Sequence, residues 1–174
     1  SVKSMLDNFF SFTKDVFLPS WPQPGLKLRS LSRGDKIENI CFMGHEKNLP
    51  NELRTVAWKE KCAELKVNFQ IVSESEKWPH FSGVDLVLAM RTFRKRPYYN
   101  KPFLKITNAI LAGAVVISTP ESSHLYLKNK KKVDFRIVNS ADELADAIQQ
   151  IKNNPSNEFK KVASNTELIR DYNF

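Results

Sequence analysis

Short apolar runs alternate with stretches of helical periodicity along most of this 174-residue chain. The run at 84–90 is continuous enough to be buried on both faces of a sheet, as in the inner strands of parallel sheets. We predict strands at 37–43, 68–72, 84–90, 114–118 and 135–138.

Between and after these runs, apolar residues recur at the spacing of amphipathic helices. We predict helices at 51–65, 102–112, 141–151 and 157–170, with a short helix after Thr119. Strands that alternate with helices are typical of βαβ units. The sequence therefore predicts an α/β fold: a Rossmann-like, doubly wound and mostly parallel sheet with helices on both faces.

Residues 1–35 differ from the rest of the chain. Closely spaced prolines exclude a continuous helix over 18–28, whereas residues 2–18 are compatible with either a helix or a strand. We therefore divide the chain into an N-terminal segment and linker, 1–35, and a Rossmann-like domain with C-terminal helices, 36–174.

The charge balance favours an anionic partner. Lys and Arg number 27 against 19 Asp and Glu, which gives a formal net charge of +8 and suits nucleic acid, a membrane surface or a phosphorylated small molecule. Cys41 and Cys62 are too few for a disulfide scaffold or a four-cysteine zinc site. Because both lie in apolar stretches, we predict buried thiols in a reducing compartment and a cytoplasmic protein.

The loops after the strands are the places to look for chemistry, since ligands of open α/β sheets bind beyond the carboxyl ends of the strands. Gly44 follows the first strand, either as a ligand contact or as an ordinary tight turn, and His45 comes next. Trp78, after the second strand, is a candidate to stack on a nucleobase. The chain has neither a G-x-G-x-x-G nor a Walker A motif. The three histidines are far apart, so the sequence indicates no metal site.

The segment 91–105 is the most informative stretch, because it joins the most apolar strand to a helix that we expect to begin at Pro102. Helix N-termini bind anions through free backbone amides and the helix dipole. The alternative is a solvated charged face. The segment carries six cations: Arg91, Arg94, Lys95, Arg96, Lys101 and Lys105.

A phosphate or diphosphate site is the favoured interpretation of this helix start. The backbone amides of Phe103 and Leu104 would act there together with nearby cations. Lys101, Lys105 and Asn108 are spaced to share one face of the helix.

A second helix start at Thr119–Ser123 also follows the proline pattern. Glu121 at this start either complements the helix dipole or accepts hydrogen bonds from ligand hydroxyls. Ser122 is a further candidate at the same place.

The stretch 100–123, N-K-P-F-L-K-I-T-N-A-I-L-A-G-A-V-V-I-S-T-P-E-S-S, resembles the donor-binding, C-terminal half of GT-B glycosyltransferases, in an uncharacterised subgroup. The W-P-Q-P-G-L segment at 21–26, Arg33-Gly34 and Phe42–Gly44 extend the resemblance, which covers about residues 18–170. Many members have a glutamate that binds the donor ribose where this chain has Asn108.

The resemblance implies a metal-independent transferase that binds a nucleotide-diphosphate sugar, needs no separate cofactor and passes the sugar to an unknown acceptor. It implies Arg91, Lys101 and Lys105 as diphosphate ligands, and Asn108 and Glu121 near the ribose or sugar. It also implies a missing N-terminal half, of which residues 1–18 would be a remnant, so that the chain would be half of a catalytic unit.

Two alternatives remain open at this point. A non-catalytic nucleotide-binding module would keep the pocket without the reaction. The aromatic and basic stretch 93–99 also suits nucleic-acid binding. Because no recognised nucleic-acid-binding motif is present, we rank nucleic acid below a nucleotide sugar as the expected ligand.

Overall fold

The computed structural model describes residues 22–94, 96, 98 and 101–171. The prediction of a helix or strand over 2–18 lies outside these residues. The described chain forms a sheet of five strands: β1 (Asn39–Met43), β2 (Asn68–Val72), β3 (Leu86–Ala89), β4 (Val115–Ser118) and β5 (Arg136–Ile137).

All four strand pairings are parallel, in the order β2-β1-β3-β4-β5. The predicted α/β class with a mostly parallel, Rossmann-like sheet is therefore confirmed. The chain first moves from β1 to β2 on one side and then crosses to β3 on the other side of β1. This change of direction places a topological switch point between β1 and β3, where such sheets bind ligands.

Five α-helices accompany the sheet in the described part of the chain, and three of them start later than the sequence predicts. The stretch at 51–65 divides into a 3-10 turn and a helix, because Thr55 caps the helix by accepting a hydrogen bond from the Trp58 amide at 3.2 Å. The helix predicted from Pro102 begins at Leu104, after the N-cap Phe103. The helices are α1 (Val56–Glu64), α2 (Leu104–Leu111), α3 (Ser122–Asn129), α4 (Ala141–Asn153) and α5 (Pro155–Asp171).

The core has two layers, one on each face of the sheet. Alternate strand residues face opposite layers: Ile40 and Leu88 pack with residues of α1 and α4, whereas Cys41 and Val87 pack with residues of α2 and α3. Strand β3 is buried along its whole length, as its apolar run predicts.

Both cysteines are buried and free, as predicted. Burial raises the pKa of Cys41 to about 12, although the nearby Lys105 acts to lower it, and raises that of Cys62 to about 11. In the described part of the chain, no helix is both long enough and apolar enough to cross a bilayer.

The proline-rich segment from Pro22 to Lys36 packs against the domain. The Lys27 amide donates to the Pro79 carbonyl at 2.7 Å, and the Arg29 amide donates to the Ala112 carbonyl at 2.8 Å. These bonds fix the segment beside the loop before β3 and the end of α2.

Asp85 anchors this segment at the amino end of the sheet. Its side chain is fully buried and accepts hydrogen bonds from the guanidinium groups of Arg29 and Arg33 and from the backbone amides of Glu38 and Asn39, all at 2.6–3.1 Å. Burial alone would raise the pKa of Asp85, but Arg33, the two amides and Arg29 together hold it below the ordinary value. The carboxylate therefore stays charged and paired.

We expect Asp85→Asn to lower the free energy of unfolding by about 3 kcal/mol or more, because it leaves two partly buried guanidinium groups without their counter-ion. Urea denaturation measures the loss. Glu38→Gln is the matched control, since Glu38 also pairs with Arg33, at 3.1 Å, but its side chain is 55% exposed. The control should cost less than about 1 kcal/mol. Equal losses in the two variants would contradict the anchoring role.

Candidate functional site

A cavity of about 510 Å³ opens at the carboxyl ends of β1 and β3, at the switch point. This volume lies within the range of roughly 300–1,000 Å³ that is usual for small-molecule sites. The polar and aromatic lining comes from five separate parts of the chain and includes Gln23, Gly44, His45, Trp78, Arg91 and Lys105.

Lys105 brings a cation into this cavity from the first turn of α2. Its side-chain nitrogen lies 4.1 Å from the centre of the Phe42 ring and makes no hydrogen bond or ion pair with any residue the structure describes. Burial, together with Arg91, lowers the pKa of Lys105 to about 8, while Glu121 and Cys41 act to raise it. The ammonium group is therefore available to pair with an anionic ligand, and its pKa would rise when such a ligand binds.

The start of α2 also lines the cavity, through Leu104 and Lys105. The backbone amides of these two residues have no acceptor among the described residues, and the N-cap Phe103 makes no side-chain capping bond. The positive end of the helix dipole lies at this helix start. The cavity is thus lined by residues that carry two open amide donors and one ammonium group.

Because Gly44 has no side chain, it leaves room for the side-chain nitrogen of Lys105. A Cβ at this position would lie 3.0 Å from the Lys105 side-chain nitrogen and 3.5 Å from the Phe42 ring. Its φ of +152° is also one that residues with side chains rarely adopt. The structure thus places Gly44 in the cavity, with a steric reason for glycine there.

Arg91, which lines the cavity, forms an ion pair with the buried Glu121. Glu121 is 1% exposed, and its second carboxylate oxygen has no hydrogen-bond partner in the described structure. Burial raises the pKa of Glu121, although Arg91 and Lys105 both act to lower it. With Lys105 protonated, the three groups carry one excess positive charge, which a bound anion would neutralise.

His124 completes this cluster as a neutral group. Its Nδ1 lies 3.1 Å from the Thr119 carbonyl oxygen, and its Nε2 lies 3.9 Å from Glu121. Burial lowers the pKa of His124 to about 4, although the bond to Thr119 acts to raise it. The imidazole therefore adds no charge near pH 7.

The structure separates Glu121 and Ser122 from the cavity lining. The expected helix start at Pro120 moves to Ser122, with Glu121 at the N-cap position but without a capping bond. Because Glu121 is buried against Arg91, its carboxylate positions this cation. The expected contact of Glu121 with ribose or sugar hydroxyls stays a prediction.

Asn108 lines the cavity, but its amide group is already engaged. Its Oδ1 accepts from the Gln23 backbone amide at 3.1 Å, and its Nδ2 lies 3.4 Å from the Gln23 side-chain oxygen. Asn108 therefore holds Gln23 at the rim, and its expected ribose contact stays a prediction. Local sequence patterns do not reveal the contact with Gln23, because the two residues lie 85 positions apart.

Lys101 and Phe103 also occupy positions that differ from the expected ones. Since α2 begins at Leu104, Lys101 precedes the helix, is exposed and does not line the cavity, so it does not share a helix face with Lys105 and Asn108. Phe103 is buried in the core beneath α2.

Trp78 forms a fixed aromatic wall of the cavity. Its indole nitrogen donates to the Val72 carbonyl at 2.9 Å. The ring meets His45 edge to face, with 5.8 Å between centroids. The hydrogen bond and the ring contact hold the indole beside the cavity. Trp78 is the residue predicted to stack on a nucleobase.

Comparisons with protein-family models, curated protein sequences and solved structures found no match. Within the described ranges, no three His, Cys, Asp or Glu side chains are grouped as a metal site would require. The cavity itself is therefore the basis for assigning a function to this chain.

We expect Gly44→Ala to lower the free energy of unfolding by about 1–3 kcal/mol, because alanine would adopt an unfavourable φ and displace the Lys105 ammonium. Gly83→Ala is the control, since a Cβ there meets nothing within 4 Å, and it should change stability by less than about 1 kcal/mol. Thermal or urea denaturation measures both. A Gly44→Ala protein as stable as wild type would show that this backbone position does not require glycine.

Proposed function

We propose that the cavity binds the diphosphate of a nucleotide-diphosphate sugar, and that the chain is the donor-binding half of a metal-independent glycosyltransferase. The observation that carries the proposal is the ammonium of Lys105, which has no partner among the described residues, in a cavity that is also lined by the helix start with the open amides of Leu104 and Lys105. These donors lie at the switch point between β1 and β3, where α/β sheets bind nucleotides.

The charge of the site suits a diphosphate. Arg91 and Lys105 are cations, and among the described residues that line or support the cavity the carboxylate of Glu121 is the one anionic group that opposes them. In glycosyl transfer the departing nucleoside diphosphate gains negative charge in the transition state. Cations and amide donors fixed at that place before the reaction lower the barrier electrostatically. Glu121 contributes by holding the Arg91 guanidinium in position.

The aromatic wall suits a base or another flat group of the donor. Trp78 and His45 present rings to the cavity on the side formed by the loops after β2 and β1. We assign the base to this wall and the diphosphate to the wall formed by α2. The acceptor-binding groups would come largely from another part of the protein, as the GT-B resemblance implies.

A non-catalytic nucleotide-binding module would bind the same ligand. A transferase differs from such a module because it also transfers the sugar, which a turnover assay detects. The shape of the site favours a small ligand over nucleic acid, because Arg91 and Lys105 face a cavity and not an open groove. Nucleic-acid binding would instead show a steep fall in affinity with added salt.

We expect Lys105→Met to weaken the binding of UDP and ADP about tenfold or more, because a charge-assisted contact with phosphate is lost. Lys101→Met is the matched control, since it removes the same charge from an exposed position outside the cavity. It should change affinity less than about threefold. Isothermal titration calorimetry measures both, with circular dichroism to confirm folding. If neither nucleotide binds the wild type, or if Lys105→Met binds like wild type, the diphosphate assignment is wrong.

Proton uptake gives an independent prediction from the pKa of Lys105, which is about 8. At pH 8 about half of the ammonium groups have lost their proton, and an anion that binds them raises the pKa. Nucleoside diphosphate binding should therefore take up about half a proton at pH 8, and affinity should fall as the pH rises above 8. Calorimetry in buffers of different ionisation enthalpy measures the uptake.

Lys105→Arg is the control for the pH experiment, because a guanidinium keeps its charge throughout this range. The variant should bind without proton uptake, and its affinity should vary little with pH between about 7 and 9. Wild-type binding at pH 8 without proton uptake would exclude Lys105 as a ligand of the diphosphate.

A further inference from the structure

A second cavity, of about 560 Å³, shares Arg91 with the first cavity. The loop after β1, including Lys47 and Glu52, forms one part, and the stretch after β3, including Arg94 and Arg96, forms the other. Four described cations line it against one carboxylate: Lys47, Arg91, Arg94 and Arg96 against Glu52. Of these, only Arg91 takes part in the proposed donor site.

The cations particular to this cavity lack counter-ions. Lys47, Arg94 and Arg96 form no ion pair with any described residue. Some exposed lysines elsewhere in the described chain do pair with a carboxylate three residues away, as Lys61 does with Glu64 and Lys77 with Glu74. The excess positive charge of the cavity is therefore not neutralised within the described structure.

Tyr98 brings two of these cations together. The guanidinium carbons of Arg91 and Arg96 lie 5.6 Å and 5.9 Å from the centre of its ring. Tyr98 itself has a φ of +47°, which is uncommon for a residue with a side chain. Like charges near one ring repel each other unless an anion lies between or beside them. A strained backbone that gathers like charges is typical of a binding site.

We propose that this second cavity binds the phosphate group of a second, phosphorylated small-molecule substrate. Guanidinium groups match phosphate oxygens with paired hydrogen bonds, and several cations together suit a doubly charged phosphomonoester better than a single carboxylate. Because Arg91 lines both cavities, a molecule in the second cavity lies next to the donor. That this molecule is the sugar acceptor rests on the proposed function, whereas the anion site itself does not.

Glycerol 3-phosphate serves as the probe, with glycerol as its uncharged counterpart. The full chain should bind glycerol 3-phosphate and not glycerol, and inorganic phosphate should compete. The double variant Arg94→Gln/Arg96→Gln should weaken glycerol 3-phosphate binding about tenfold or more. Lys36→Gln/Lys160→Gln removes the same charge from exposed positions outside the cavity, and should change the affinity less than about twofold. Calorimetry or ¹H–¹⁵N spectra measure these affinities, and circular dichroism confirms folding.

The proposal is overturned if wild type does not bind glycerol 3-phosphate, if the arginine variant binds it like wild type, or if both double variants lose the same affinity. Lys105→Met separates this proposal from the proposed function, because it should lose UDP and ADP binding but keep glycerol 3-phosphate binding. If glycerol 3-phosphate binds through Arg94 and Arg96 while nucleoside diphosphates do not bind at Lys105, the anion site stands and the donor site falls.

Discussion

The fully buried carboxylate of Asp85 holds the segment from Pro22 to Lys36 to the sheet, and one wall of the cavity at the switch point depends on that attachment. A charge removed from water is tolerated only where partners replace its hydration. Arg29 and Arg33 come from the segment and supply most of those partners. The same segment continues to Gln23, which bonds to Asn108 and lines the cavity. An ion pair at the amino end of the sheet thus shapes a site at its carboxyl end.

The two ends of the sheet differ in charge balance. At the amino end the two carboxylates of Asp85 and Glu38 balance the two arginines Arg29 and Arg33. At the carboxyl end the carboxylate of Glu121 faces both Arg91 and Lys105, which leaves positive charge in excess among the described residues. A protein that only needed to fold would gain little from a lysine whose burial makes its own charge unfavourable. The excess is explained if an anion from outside the chain completes the cluster.

Much of the fold is predictable from the sequence, because it depends on patterns that local physics makes visible. Continuous apolar runs place β1 and β3 inside the sheet, and alternation with helices makes the strands parallel. The rule that ligands bind beyond carboxyl ends then selects the loops of Gly44 and Arg91, which the structure brings to one cavity.

The remaining features depend on contacts that no local pattern reveals. The hydrogen bonds between Gln23 and Asn108 join residues that lie far apart in the chain. In the sequence, Asp85 is only a single acidic residue within the predicted strand 84–90, and nothing near it indicates its arginine partners. Because α2 begins at Leu104 and not at Pro102, Lys101 lies before the helix and outside the cavity. Of the two lysines predicted to share a helix face with Asn108, only Lys105 lines the cavity.

Arg91 sets the relation between the two cavities. Its ion pair with Glu121 uses one edge of the guanidinium group, and Tyr98 lies 5.6 Å from its central carbon. Arg91 lines both cavities while its guanidinium group is paired with Glu121. Two anions that each contact one cation are both attracted to it, and its charge offsets part of their mutual repulsion. In a reaction that joins two anionic substrates, such a cation lowers the repulsion that would otherwise oppose their approach.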